Sequence, residues 1–424
     1  MSLGVLNNSP LNNTLNSTNN AAFTLSVDKA GEQLRRIVTT YLEKDENGNY
    51  VIPFNRQRPI MLMGAAGIGK TDAPRQAAED LGIGFVSYSM THHTRQSALG
   101  LPKIIEKEYA DGTTLTTEYT MSEIISAVCD EIKKTGNPNG ILFLDEINCI
   151  SESLSAVMLQ LFQNKTLGQS KIPDGWVLVM AGNPPEYNKS VKRFDAVTRD
   201  RLRIINVVPD AKAWLDYADK KALNSTVVSY ISSNEDKIYC FDSDAMQIVT
   251  PRGWEELSIN IDTFERHGFP ITPELIAEFI GVPSVASDFF AYYDMITKCV
   301  TEKDIDDIID GKISKELIKN IKECRTSSKH MLITCLKRKL RILSDSKNYE
   351  RATKAMDNIV DFINTLYGGS GEIELFMSGI LSDTEIVKMT VATHNEKFSH
   401  YLNEIVTAGT EIKTKLKSRK KEAV

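Results

Sequence analysis

Apolar residues follow two rhythms along this chain. Short runs with little polar interruption fall at 59–63, 84–88, 140–144, 176–180 and 203–208, which predicts short strands buried on both faces. Between most of them the apolar positions recur at helical spacing, over 70–81, 121–134 and 154–162. Upstream, Leu34, Ile37, Val38, Tyr41 and Leu42 predict an amphipathic helix starting near Gly31. Strands alternating with helices imply a parallel sheet covered by helices on both faces. After residue 208 the strand signals fade. Residues 210–221, 242–248, 254–267 and 273–280 are expected to be helices, and 301–424 is helical and charge-rich with a glycine loop at 368–371. The expected architecture is therefore α/β, followed by a smaller all-α domain and a helical C-terminal extension.

The first 20 residues carry seven asparagines and no charge. Such a segment buries too little surface to offset its ordering entropy, so residues 1–25 are expected to form a flexible arm. The 424 residues are 42% hydrophobic and 25% charged, with 50 basic against 56 acidic residues and a net charge of −6. That excludes a wholly disordered chain. It suits a cytoplasmic protein and does not advertise nucleic-acid binding over the whole surface. No run approaches the roughly 18 apolar residues of a membrane span, and the N-terminus lacks the apolar core of a secretory signal. The six cysteines show no metal-ligand spacing and are expected to be thiols in a reducing compartment. The adjacent His92 and His93 cannot share a helix face and are not expected to hold a metal.

Five short stretches carry chemistry. Gly64, Ala65, Ala66, Gly67, Ile68, Gly69, Lys70 and Thr71 match G-x-x-x-x-G-K-[ST] between a predicted strand and a predicted helix. Glycines let the backbone wrap a phosphate with its N–H groups, and the helix adds its positive end. Lys70 is expected to reach the β- and γ-phosphates of ATP, and Thr71 to hold Mg²⁺. Asp145 and Glu146 end the strand at 140–144. Two carboxylates there are costly unless paired or metal-bound; Asp145 suits the Mg²⁺ shell, and Glu146 suits activation of the attacking water. Asn183 ends the next strand, where its amide could meet the γ-phosphate and that water. Arg199, Arg201 and Arg252 are candidates for stabilising charge on a transferring phosphoryl group.

In that order, the phosphate loop, the Leu-Asp-Glu strand end, the Gly-Asn-Pro strand end, Arg199-Asp-Arg-Leu202 and Pro251-Arg-Gly-Trp254 resemble an AAA+ ATPase. The stretches 140–148, 167–176 and 181–184 are similar to the MoxR-like branch. The resemblance covers about residues 30–295. It implies an α/β nucleotide-binding domain at 26–209, a hairpin insert at 89–120 that faces a substrate or ring pore, a lid domain at 210–300, and an extension at 301–424 for which it gives no guide. It assigns Lys70 and Thr71 to Walker A, Asp145 and Glu146 to Walker B, Asn183 to sensor 1 and Arg252 to sensor 2. Arg201 becomes the arginine finger, with Arg199 less favoured. It implies ATP and Mg²⁺, a homo-oligomeric ring that is usually hexameric, a protein client to remodel, and in many members a separate von Willebrand A-type partner. A nucleic-acid motor is the main alternative, supported only by the basic tip at 413–421. The third is an ATP-gated scaffold, which the intact Lys70, Glu146 and Asn183 argue against.

Overall fold

The computed structural model describes residues 23–400 except 111, 187–190, 192–193, 299, 325, 346–348, 368–379, 381–382 and 398. The arm up to residue 22, the glycine loop at 368–371 and the basic tip at 413–421 lie outside the described residues. The chain divides into two compact units. The first ends at Ala213 and takes in Ser243–Ala245 and Thr250–Arg252; the second holds the remainder.

A six-stranded parallel sheet forms the first unit. Its strands are β1 (Thr24–Leu25), β2 (Ile60–Gly64), β3 (Gly84–Ser89), β6 (Gly140–Asp145), β9 (Trp176–Gly182) and β10 (Arg203–Val207), in the order β1-β10-β2-β9-β6-β3. Between β3 and β6 in sequence, β4 (Pro102–Tyr109) and β5 (Gly112–Tyr119) form an antiparallel hairpin; β7 (Thr166–Leu167) and β8 (Ser170–Lys171) form a shorter one. The helices of this unit are α1 (Val27–Leu42), α2 (Asp72–Leu81), α3 (Arg95–Leu99), α4 (Glu123–Thr135), α5 (Glu152–Asn164) and α6 (Ala196–Asp200). All seven residues of β9 are buried, as are the first five of β6. This explains the unbroken apolar runs, because helices cover both faces of a parallel sheet. Leu142, Leu144, Leu178 and Met180 pack with Ile124 and Val128 of α4 and with Leu154 and Leu161 of α5.

Helix α7 (Ala211–Lys220) crosses the boundary between the units. The second unit then carries α8 (Ser225–Ser233), the strands β11 (Cys240–Asp242) and β12 (Gln247–Val249), α9 (Pro251–His267), α10 (Pro273–Phe279), α11 (Pro283–Thr297), α12 (Glu302–Ile309), α13 (Lys315–Glu323), α14 (Thr326–Asp345), α15 (Tyr349–Tyr367) and α16 (Thr384–Ala392). Ile305, Ile308, Leu336, Leu340, Ile359 and Ile363 form one apolar core across α12, α14 and α15. Arg338, nearly buried on α14, ion-pairs with Asp219 at 2.7 Å, and Arg341 reaches the same carboxylate at 3.0 Å. No helix among the described residues is long and apolar enough to cross a membrane.

Four expectations are corrected. Thr24 and Leu25, assigned to the arm, pair with Asn206 and Val207 as the edge strand β1; two residues are too few for a periodic signal. Helix α1 starts at Val27, not near Gly31. The expected helix at 242–248 is the turn and second strand of the β11–β12 hairpin, so the region after the sheet is not all-α. There Met246 sits at a positive φ of 53°, which no helix tolerates. Finally, Cys129, Cys149, Cys240 and Cys335 are thiols as expected, but Cys324 is disulfide-bonded. Helix α8 was missed for a different reason. Ser225 through Ile231 are all buried, so the helix has no polar face to set a period.

The pairing of β6 with β9 sets a steric limit. Gly140 lies opposite Trp176, whose ring is fully buried, and a β-carbon on Gly140 would stand 2.6 Å from it. Gly140→Ala should therefore overpack the core and lower stability by about 1–3 kcal/mol. Thermal and urea unfolding would check this, and an unchanged midpoint would mean the indole moves aside freely.

Candidate functional site

The C-terminal ends of β2, β6 and β9 bring the candidate residues together. Strand β2 ends at Gly64, where a β-carbon would lie 2.4 Å from the Val207 carbonyl oxygen, so only glycine lets β2 and β10 run side by side into the loop. Gly67 and Gly69 take positive φ values of 71° and 90°, which the wrap of the loop requires. Gly67 also faces Thr250, which a β-carbon would meet at 2.8 Å. Helix α2 begins at Asp72, so Pro74 falls in its first turn, where an N–H has no intrahelical partner to lose.

Lys70 is 8% exposed. Its ammonium donates to the Ala65 carbonyl and, at 2.9 Å, to Oδ1 of Asn183 at the end of β9. Burial pushes its pKa down to about 8; the carboxylate of Asp145 opposes the shift, the Arg252 guanidinium adds to it, and Glu146 opposes it. Thr71 Oγ1 donates to Asp145 Oδ2 at 2.8 Å. A hydroxyl and a carboxylate so placed are the hard oxygen donors a magnesium ion prefers.

Glu146 directly follows β6 in a left-handed conformation, with φ of 54°. A non-glycine residue there carries strain that the surroundings must hold. Its N–H donates to Asp145 Oδ1 at 2.9 Å, and its carboxylate accepts from Thr91 Oγ1 at 3.1 Å and Ser89 Oγ at 3.3 Å. Ser89 ends β3 directly beside Asp145 of β6. Asn148 donates from Nδ2 to the Asn183 carbonyl at 2.7 Å, fixing the backbone that presents the Asn183 amide. Gly182 makes this possible, since a β-carbon there would be 2.4 Å from Asn148 Oδ1.

Ser89, Thr91 and Asn148 were not anticipated from sequence. Asn148 lies in the 140–148 stretch, whose local pattern carries no signal for its bond; Ser89 and Thr91 become neighbours of Glu146 only once β3 is known to lie next to β6.

The three arginines divide. Arg252 lies against the loop: its N–H donates to the Gly67 carbonyl at 3.1 Å, and its charge is felt at Lys70. Arg201 caps the C-terminus of α6, and Arg199 is exposed on its last turn. Neither has a hydrogen bond or ion pair to the phosphate loop among the described residues. Asp195, at the start of α6, has its pKa held down by the N–H of Thr198, with a smaller contribution from Arg201.

Residues 59–202 match the family model of the AAA domain, dynein-related subfamily. The match spans the phosphate loop, the acidic strand end, Asn183, Arg199 and Arg201. It supports nucleotide binding and an ATPase of the AAA+ class. No curated protein matches the chain.

The depressed Lys70 amine gives a pH-dependent prediction. The folded group titrates near 8, the unfolded one near 10.5. Between those values the unfolded chain holds more protons, so the ligand-free protein gains stability as pH rises through the window. Relative to Lys70→Met, the unaltered protein should gain up to about 3 kcal/mol from pH 8 to 10.5. Urea unfolding at stepped pH measures the difference, and parallel curves for the two proteins would refute the assignment.

Proposed function

We propose that this chain is an ATP-hydrolysing AAA+ chaperone of the MoxR-like type, working as a homo-oligomeric, hexameric ring on a protein client. One observation carries the proposal: Lys70, Asn183, Thr71, Asp145 and Glu146 meet at the ends of three adjacent strands, hydrogen-bonded to one another around the phosphate loop. The similarity to the MoxR-like branch and the exposed β4–β5 hairpin favour a client-remodelling role within the class. A separate von Willebrand A-type partner and a cytoplasmic location belong to the same reading. The net charge of −6 weighs against a nucleic-acid motor.

In this reading the residues from Gly64 to Thr71 cradle the triphosphate with main-chain N–H groups, and Lys70 exchanges its bonds to Ala65 and Asn183 for phosphate oxygens. Thr71 and Asp145 hold Mg²⁺, which when bound neutralises phosphate charge. Glu146 accepts the proton of a water as its oxygen bonds to the γ-phosphorus and the β–γ bridging bond breaks. Asn183 orients that water, and Arg252 meets the γ-phosphate in its own subunit. Arg201 reaches a neighbour's nucleotide, which suits its lack of a partner in its own phosphate loop. Catalysis is positional and electrostatic, with no covalent intermediate.

Glu146→Gln should keep ATP binding and lower turnover by about 10²-fold or more, which equilibrium binding and phosphate release would measure side by side. Turnover surviving that change would remove Glu146 from the mechanism. Arg201→Ala should bind ATP normally and lose roughly 10³-fold in the assembled ring, while Arg199→Ala stays active. The reverse pattern would make Arg199 the finger.

A further inference from the structure

At the foot of the β4–β5 hairpin a groove of about 580 Å³ opens between α3 and α4. Its α4 wall presents Glu123, Ser126, Ala127 and Asp130. That spacing is one helix face, with the carboxylates about 10 Å apart along the axis. Both acids are exposed, and neither is ion-paired among the described residues. Tyr88 lines the groove between β3 and α4, its hydroxyl donating to the Glu123 carbonyl at 3.4 Å. No lysine or arginine lines it among the described residues.

The α3 side is polar, with Thr94, Gln96 and Ser97, and the rim at the hairpin foot is apolar. Leu101 and Met121 are 59% and 55% exposed where the hairpin joins the body. One face of the hairpin continues this surface: the pairs Pro102–Tyr119, Ile104–Thr117 and Glu106–Leu115 share it, with Ile104 72% and Leu115 67% exposed. On the other face Lys107 is taken by Glu118. The hairpin foot is pinned. Gly100 has a φ of +92° and lies so near Thr120 that a β-carbon would clash with its carbonyl, and Thr120 and Leu101 exchange hydrogen bonds. The groove is therefore shaped by the backbone rather than by adaptable side chains.

We infer that this groove receives an extended segment of the protein client carrying a lysine or arginine flanked by large apolar side chains. The basic head sits between Glu123 and Asp130, and the flanking side chains lie on Leu101, Met121 and the exposed hairpin face. Charge complementarity selects the occupant: two unpaired carboxylates with no lining cation favour a basic group and repel an acidic one. The inference rests on the client-remodelling reading above and adds what part of a client is recognised.

The test uses the full chain and fluorescence anisotropy of a labelled nonapeptide with a central arginine between two leucines, against the same peptide with glutamate at the centre. The arginine peptide should bind at least tenfold more tightly, with an affinity that falls as salt rises. Glu123→Gln with Asp130→Asn should abolish that preference while leaving basal ATP turnover unchanged, and Ile104→Ser with Leu115→Ser should weaken both peptides together. Equal binding of the two peptides, no binding of either, or an unaltered preference in the double acid variant would overturn the inference. So would a change in oligomeric state on neutralising the acids, which would make a second copy of the chain the occupant. Phosphate release by the same preparation separates the failures: turnover intact with no peptide preference sinks the groove alone, whereas absent turnover in the unaltered chain sinks the ATPase reading.

Discussion

The structure turns on a buried ammonium that has too little negative charge around it. Lys70 is nearly enclosed, and in the ligand-free chain a carbonyl and a neutral amide are its hydrogen-bond partners. Desolvation outweighs the attraction of Asp145 and Glu146, and Arg252 adds a second positive charge. The Lys70 ammonium is therefore held mainly against its own desolvation, a cost that the phosphate oxygens of a bound nucleotide would offset in the proposed mechanism.

In the proposed mechanism Lys70 would leave Asn183 on binding nucleotide, which links binding to the rest of the site. The Asn183 amide would then be free to turn toward a water or the γ-phosphate, while its backbone stays fixed by Asn148. Glu146 is held in a different manner. Its left-handed backbone is strained, and the hydroxyls of Ser89 and Thr91 keep its carboxylate toward the end of β3. Thr91 stands three residues before Thr94, the N-cap of α3 and part of its capping box, and α3 leads directly into the hairpin. The segment that restrains Glu146 is thereby continuous in the chain with the exposed hairpin and its groove.

Much of the first unit was legible because its chemistry and its burial both leave local marks. A strand covered on two faces must be apolar throughout, and β6 and β9 are. A phosphate loop needs glycines at positive φ, and Gly67 and Gly69 sit where the spacing put them. The sheet order left no such mark. Only the placement of β3 beside β6 gives Ser89 and Thr91 their relation to Glu146, and pairing across 57 and 55 residues has no local signature. The second unit was harder for the opposite reason. Helix α8 is buried on all sides, so its pattern resembles a strand more than an amphipathic helix, and β11 and β12 are three residues each.

The arginines show where sequence and a single chain both stop. Arg252 is tied to the loop by its own main chain, since its N–H bonds to Gly67 and α9 begins at Pro251, whose ring fixes the first helical turn. Its place therefore follows from the fold of one subunit. Arg201 lies between the capped helix α6 and the start of β10, and it has no hydrogen bond or ion pair to the phosphate loop among the described residues. Two cations of the same type, each held by a rigid element, thus serve different boundaries. In the proposed mechanism Arg252 acts in the pocket beside Lys70, whose charge it already feels, whereas Arg201 would act only on a nucleotide brought by another copy. In the proposed mechanism an oligomer would be a condition of the reaction itself, because the charge developing on the γ-phosphate in one subunit would be compensated by a side chain of its neighbour.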